Sequence, residues 1–323
     1  KEPLYNFSCA IDDFEMKISH VIRGDDHIAN TPKQILIQQA LDFPTPKYAH
    51  LPMILADDKS KLSKRKHGNI ASVENFKEKG YLPETMVNFL AFLGWNPGTE
   101  REIFSMNSLI KEFGLDRVKK GGAIFNVKRL DYLNGFYIRK KSLEKLTQEC
   151  IPYLIEAEFV EPVFKDQERM PDFIGQFGKE IVLKFIIKQT KQEVSFDYIQ
   201  KIVSIYQERL KKLEEIIELT EFFFKQELEY SKELLKWKDQ SDEELGIVLN
   251  KLERKLSDIK YNNWNKQTIE NTLIGQENSV GSILWPFRTA LTGKKASAGP
   301  FDIAEILGKD KALERIRNAK KLI

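Results

Sequence analysis

Cysteine is nearly missing: the 323 residues hold two, Cys9 and Cys150, far apart in the chain. That excludes a disulfide framework and any zinc module built on four cysteines of this chain. Both read as buried thiols in a reducing compartment. No apolar run reaches the ~18 to 20 residues that a membrane helix needs. The opening Lys-Glu-Pro-Leu-Tyr-Asn-Phe lacks the basic, apolar and small-residue succession of a secretion signal. A soluble, cytoplasmic chain with no membrane partner is therefore expected. Charge of one sign is also lacking, with 51 Lys and Arg against 48 Asp and Glu and a net charge of +3. Only local clustering can then point to a polyanionic partner. There is no internal repeat and no low-complexity segment.

What is present is enough chain for two or three domains, with 41% apolar residues to build their cores. Residues 3–67 have α/β texture. Tyr5 to Ile11 reads as a strand ending at Asp12-Asp13, and His20-Val21-Ile22-Arg23 as a second one ending at Gly24. A helix should follow, capped by Thr31 and started by Pro32, with Ile35, Leu36, Ala40 and Leu41 as its apolar period. A further strand is expected near Ala49 to Leu55. Strand, helix, strand with crossover length between them suggests parallel pairing, hence half of an open doubly wound sheet. From 68 to 140 short helices alternate with breakers at Gly80, Pro97-Gly98 and Gly121-Gly122. Residues 141–323 read as a charged helical bundle, with one long stripe formed by Ile199, Ile202, Val203, Tyr206, Leu210, Leu213 and Ile217. The expected fold is thus α/β followed by all-α.

The most informative stretch runs from Asp57 to Gly68 and places five basic residues in the eight positions 59–66. Such a cluster is commonly a solvated loop. Here Lys61, Lys64 and Arg65 flank one apolar anchor, Leu62, directly after a strand of an open α/β sheet, where ligands of such sheets bind. Cations there can follow charge moving onto a departing phosphate group.

Lys61-Leu62-Ser63-Lys64-Arg65 resembles the Lys-Met-Ser-Lys-Ser signature of class I aminoacyl-tRNA synthetases. Its neighbours narrow the resemblance to the glutamyl-tRNA synthetases: Pro3-Leu4-Tyr5-Asn6-Phe7 with Asp12-Asp13, then His20 to His27, then Asn30-Thr31-Pro32-Lys33-Gln34-Ile35. Further matches are Gly80 to Glu84, Asn88-Phe89-Leu90, Leu93-Gly94-Trp95, Phe125-Asn126 through Leu133-Asn134, and Arg288 to Gly293. The resemblance runs along nearly the whole chain and is weakest between about 150 and 275.

This resemblance implies the C-terminal half of a Rossmann-type catalytic domain over 1–67, a stem-contact domain over 68–140 and a helical anticodon-binding domain over 141–323. Lys61, Leu62, Ser63, Lys64 and Arg65 would contact ATP, joined by Asp26 and the backbone at Ile54, with Lys61, Lys64 and Arg65 acting catalytically and Lys64 foremost. Tyr5, Cys9 and Arg23 would bind glutamate; Arg209 would read the third anticodon base. ATP with Mg²⁺, glutamate and tRNA-Glu are the implied ligands, with no zinc or other metal site in this chain, and a monomer is implied. Plainer readings stand beside these. Tyr5 can be a core aromatic and Cys9 structural, Arg23 can pair with Asp25 or Asp26, and Arg209 can be a solvent-facing helix residue paired with Glu208 or Glu214. Trp285, Phe287 and Arg288 can belong to the same loop-binding surface, although Trp285 and Phe287 read first as core.

His27-Ile28-Ala29-Asn30 echoes the family's His-Ile-Gly-His signature but has the wrong residues at two positions and lies too close to the lysine loop. That signature, the family's N-terminal glutamate-binding arginine and the zinc-bearing insertion of some members are absent from this sequence. The chain also begins inside what reads as a strand, so the later part of a longer polypeptide is expected. Alternatives to a tRNA-Glu ligase are an enzyme charging both tRNA-Glu and tRNA-Gln, a tRNA-binding fragment inactive without an N-terminal half, and a helical scaffold with a decayed nucleotide fold.

Overall fold

The structure is a computed structural model that describes residues 3–68, 72–163, 184–274 and 280–323. Backbone contacts divide the chain into two compact units, Lys1–Tyr137 and Ile138–Ile323.

The first unit opens with helix α1 (Tyr5–Glu15), where a strand was expected. Tyr5, Phe7, Cys9 and Ile11 satisfy a period of two, yet Phe7, Ala10, Ile11 and Phe14 satisfy the helical period equally well. The longer, helical run wins by burying Ala10 and stacking Phe14 on Phe43 with ring centroids 3.7 Å apart. Lys17, at φ +56°, ends it: the Ile18 N–H donates to the Asp13 carbonyl and the Lys17 N–H to that of Phe14.

Strand β1 (His20–Gly24) pairs in parallel with β2 (Lys47–Leu51), from His20 opposite Lys47 to Gly24 opposite Leu51, and helix α2 (Thr31–Ala40) makes the crossover. The expected β–α–β unit is thus present, with two changes. Pro52, lacking an N–H, ends β2, and the strand expected up to Leu55 resumes as the separate β3 (Ile54–Leu55), paired in parallel with β4 (Ala123–Ile124). The inward face of α2 is polar: Thr31, Gln34 and Gln38 are buried, whereas Leu36 is 65% exposed. Burial of these amides is sustained by hydrogen bonds, Gln34 Nε2 to Asn6 Oδ1 at 3.2 Å and Gln38 Nε2 to the Tyr48 hydroxyl at 3.3 Å.

Short helices follow: α3 (Lys64–His67), α4 (Val73–Glu78), α5 (Pro83–Ala91), α6 (Met106–Glu112) and α7 (Val127–Lys140). Phe76, Tyr81, Phe89, Phe125, Leu130 and Leu133 form a core, against which Ile54 and Leu62 pack. Two buried asparagines tie the loops to it. Asn134 accepts the Leu82 N–H at 2.9 Å and donates to the Gly80 carbonyl at 3.2 Å; Asn88 accepts the Phe104 N–H and donates to the Glu102 carbonyl.

The second unit is mainly helical, as expected, with α8 (Leu143–Glu156) followed by a small antiparallel sheet that the sequence did not announce: β5 (Val160–Pro162), β6 (Lys184–Ile187) and β7 (Glu193–Ser195). The long stripe is two helices, α9 (Phe196–Ser204) and α10 (Glu215–Phe224), joined by turns. Its residues Ile199 to Leu213 are all buried, but turns repeat at a helix-like spacing. The Glu215 carboxylate accepts the N–H groups of Lys211 and Lys212 and starts the second helix there. Helices α11 (Lys232–Leu235), α12 (Asp242–Ser257), α13 (Lys266–Ile274), α14 (Val280–Thr292), α15 (Pro300–Leu307) and α16 (Lys309–Lys320) complete the unit, with α12, α14 and α16 packed on one another.

Candidate functional site

The basic stretch is an ordered hairpin. After β3 the chain turns at Asp58, whose Oδ1 accepts the Ser60 N–H at 2.9 Å and its hydroxyl at 2.6 Å, with Lys59 at φ +61°. It returns with Lys61 bridged to Leu55 and with the Leu62 N–H donating to the Ile54 carbonyl at 2.9 Å. The Leu62 side chain is held by the aromatic core, so the loop is anchored from beneath while its charged groups face outward. The carbonyl of Ile54 is therefore occupied by the loop itself.

The cations do not share one fate. Lys66 is drawn back onto Asp58 Oδ2 and Ser60 Oγ, both at 2.7 Å. Lys61 reaches across to Asp26, with Nζ 2.5 Å from Oδ2. Arg65 is exposed and meets no partner among the described residues. Lys64 begins α3, and its side chain lies outside the described residues. Ser63 is half-buried, its N–H directed to His67 Nδ1 at 3.2 Å.

Asp26 belongs to the turn Asp25–His27 that immediately follows β1. The Lys61 ammonium holds its carboxyl below the usual range. Gly24 makes room for it, since a Cβ there would meet Asp26 Oδ1 at 2.5 Å. The lysine loop and the carboxyl end of β1 thus converge, though 35 residues separate their contacting side chains.

Arg23, on the same strand end, pairs with neither Asp25 nor Asp26. Its Nη2 donates to Thr31 Oγ1 at 2.6 Å and its guanidinium lies over the Tyr48 ring, 5.3 Å from the centroid. Thr31 in turn donates to the His27 carbonyl and lies 2.9 Å from His50 Nε2. The Arg23 Nε–H and Asp25 Oδ1 are buried without partners among the described residues. Helix α1 sets Tyr5 and Cys9 one turn apart. Burial and Asp13 push the Cys9 thiol up, against the pull of Arg23. Tyr5 is 55% exposed, which sets aside the core-aromatic reading, and its hydroxyl is 3.4 Å from His27 Nδ1. Tyr5, Cys9 and Arg23 are thus neighbours, but on a helix and a strand end rather than on two strands.

In the second unit Arg209 lies in the turns after α9 and not on a helix face as expected. Its Nη1 donates to the Ser297 carbonyl at 2.5 Å. The acidic partners considered for it are otherwise engaged, Glu208 near Arg139 at 4.0 Å and Glu214 with Lys212 at 3.0 Å. Phe287 is fully buried, and the half-buried Trp285 donates from Nε1 to the Leu234 carbonyl. Sequence reasoning missed Thr31, Tyr48 and His67 as partners of the expected site residues. Thr31 was read only as a cap, and nothing local reports a contact made across a strand pair. Among the described residues no cluster of three or more His, Cys, Asp or Glu side chains offers a metal cage, and no helix is long and apolar enough to cross a membrane.

Residues 1–132 match the catalytic domain of the tRNA synthetases class I (E and Q), and residues 145–320 match the anticodon binding domain. The chain belongs to the class I tRNA synthetases. Among similar proteins, glutamate–tRNA ligase 2 of Thermoanaerobacter pseudethanolicus is 38% identical over 319 residues, covering 98% of this chain and 60% of the relative. The glutamate–tRNA ligase of Carboxydothermus hydrogenoformans is 38% identical over 323 residues, with 98% and 60% covered. A crystal structure of a glutamate tRNA ligase from Elizabethkingia meningosepticum, in complex with its amino acid, superposes with a TM-score of 0.74 at 26% identity, over 99% of this chain and 60% of that one. The chain therefore spans about 60% of the length of the synthetases it matches.

Proposed function

We propose that the chain works within a glutamate–tRNA ligase, which joins glutamate to the α-phosphate of ATP, releases pyrophosphate and passes the glutamyl group to the terminal ribose hydroxyl of tRNA-Glu. Arg23, with Tyr5 and Cys9 beside it, positions glutamate; a planar fork held by Thr31 and Tyr48 suits a carboxylate. Asp26, the Ile54 backbone and residues Lys61 to Arg65 surround ATP. Lys61, Lys64 and Arg65 meet the charge that grows on the departing pyrophosphate. Mg²⁺ would arrive on the triphosphate, and this chain's own contribution there is cationic. Residues 68–140 contact the tRNA stem, and Arg209 with the loop around Ser297 meets the anticodon. The ligase acts as a monomer in the cytoplasm.

The observation that supports this most is the Lys61 to Asp26 contact, which brings the phosphate-seeking loop to the strand end that carries Arg23. In the full-length protein Lys64→Ala should slow ATP–pyrophosphate exchange by roughly a hundredfold with the circular dichroism spectrum intact. An unchanged rate overturns the role. Charging assays on purified tRNA-Glu and tRNA-Gln separate a discriminating enzyme from one that accepts both.

A further inference from the structure

His67, within the basic stretch, has no part in the function proposed above. The His67 side chain is 14% exposed, and both its nitrogens face groups that shape the loop. The Ser63 N–H donates to Nδ1 at 3.2 Å, while the Ser63 carbonyl accepts the His67 N–H at 2.9 Å, so His67 closes the turn from both sides. Nε2 lies 3.3 Å from Ser60 Oγ, at the other end of the segment Lys61–Leu62–Ser63.

Counting protons leaves one arrangement. The Ser60 hydroxyl gives its hydrogen to Asp58 Oδ1, and Lys66 Nζ fills one of its lone pairs. The remaining lone pair accepts from Nε2–H of His67. Nδ1 faces an N–H donor and must be bare. The charged groups around the ring are Asp58, with Oδ1 3.9 Å from Nε2, and Lys66, which is itself held on Asp58. Both ring nitrogens and the Ser60 hydroxyl then have partners.

We propose that His67 is a positioning residue: as the neutral ring with its proton on Nε2, it ties the Asp58–Ser60 turn to the Ser63–His67 turn and so sets the geometry in which the lysine loop receives a nucleotide triphosphate. The proposal rests on the reading of this loop as the ATP site. It assigns the ring two duties that separate substitutions can divide. Phenylalanine keeps the volume and removes both nitrogens; asparagine keeps an acceptor near the place of Nδ1.

In the full-length protein, His67→Phe, which removes both ring hydrogen bonds, should weaken ATP binding at least tenfold, and His67→Asn, which keeps the acceptor, should recover part of that loss. Equal ATP affinity in the wild type and His67→Phe overturns the proposal, as does an asparagine variant no better than phenylalanine. Nitrogen-15 ring spectra test the knot without nucleotide: the wild type should show an unprotonated Nδ1 and a protonated Nε2, and a proton on Nδ1 overturns it. Lys61→Ala reports on the ATP reading separately. If that variant binds ATP as the wild type does, the site assignment falls, while the ring spectra still decide whether His67 holds the loop.

Discussion

Arg315 is buried to 3% exposure in the second unit, and its guanidinium donates to the carbonyls of Phe222, Lys225 and Leu291. These carbonyls end α10 and α14, so one side chain satisfies the last turns of two helices. Burial pulls its pKa down to about 10, which leaves it charged at neutral pH. Arg315→Leu strands three acceptors, two of them buried, and should cost about 3 kcal/mol or more, read from the urea midpoint at unchanged m-value. Arg23 makes the opposite case: it is half-buried at a strand end, and removing it should affect ligand more than fold. The two arginines also differ in legibility. Arg23 stood in a recognisable run, Val21-Ile22-Arg23-Gly24-Asp25-Asp26, whereas Arg315 sits in an ordinary helical sequence, where nothing local reports that it points inward.

Strands β3 and β4 contribute two residues each, yet β3 is the base on which the lysine loop folds back. Gly122 precedes β4 where a Cβ would meet Leu55 Cδ1 at 2.9 Å and the Met53 carbonyl at 3.1 Å. Gly122→Ala should therefore push β4 from β3, cost about 1 to 3 kcal/mol in denaturant melts and weaken nucleotide binding with it. At the start of α12, Lys232 and Lys236 hold the Asp242 carboxyl down at about 2, against an ordinary value of 3.8. A carboxyl whose pKa is depressed on folding contributes stability that is fully present above its unfolded value and lost as pH falls through the folded one. Acid titration should thus loosen this helix start between about pH 4 and pH 2, and Asp242→Asn should flatten that limb in pH-dependent urea melts. Elements were legible where one pattern or a clear start signal dominated, as in β1 and, at Thr31-Pro32, in α2. At α1 two periods fitted the same residues, and across 199–217 the helical spacing continued through turns, because burial on one side is all that a periodic pattern encodes.

At the scale of the molecule, a net charge of +3 on 323 residues would leave the proposed tRNA binding to local patches. Affinity for tRNA-Glu should still fall steeply with salt, because each neutralised phosphate releases counterions. Arg209→Gln should change the salt slope by only about one contact while relaxing the choice between tRNA-Glu and tRNA-Gln, measured as the ratio of charging rates. A specificity ratio that stays fixed would overturn the proposed anticodon role of Arg209.

The amino-acid sequence alone determined the parallel β–α–β unit, the helical character of the second unit, the basic loop after a strand and the family to which that loop belongs, because propensity, periodicity and short motifs are local properties. Tertiary structure alone decided that Lys61 meets Asp26, that Arg23 leans on Thr31 and Tyr48, that Arg209 leaves its helix for the Ser297 carbonyl, and that the His67 ring knots two turns together. Each of these is a hydrogen bond or ring contact whose geometry depends on how the backbone closes in space, and side-chain spacing along a chain specifies a face without specifying what that face will touch.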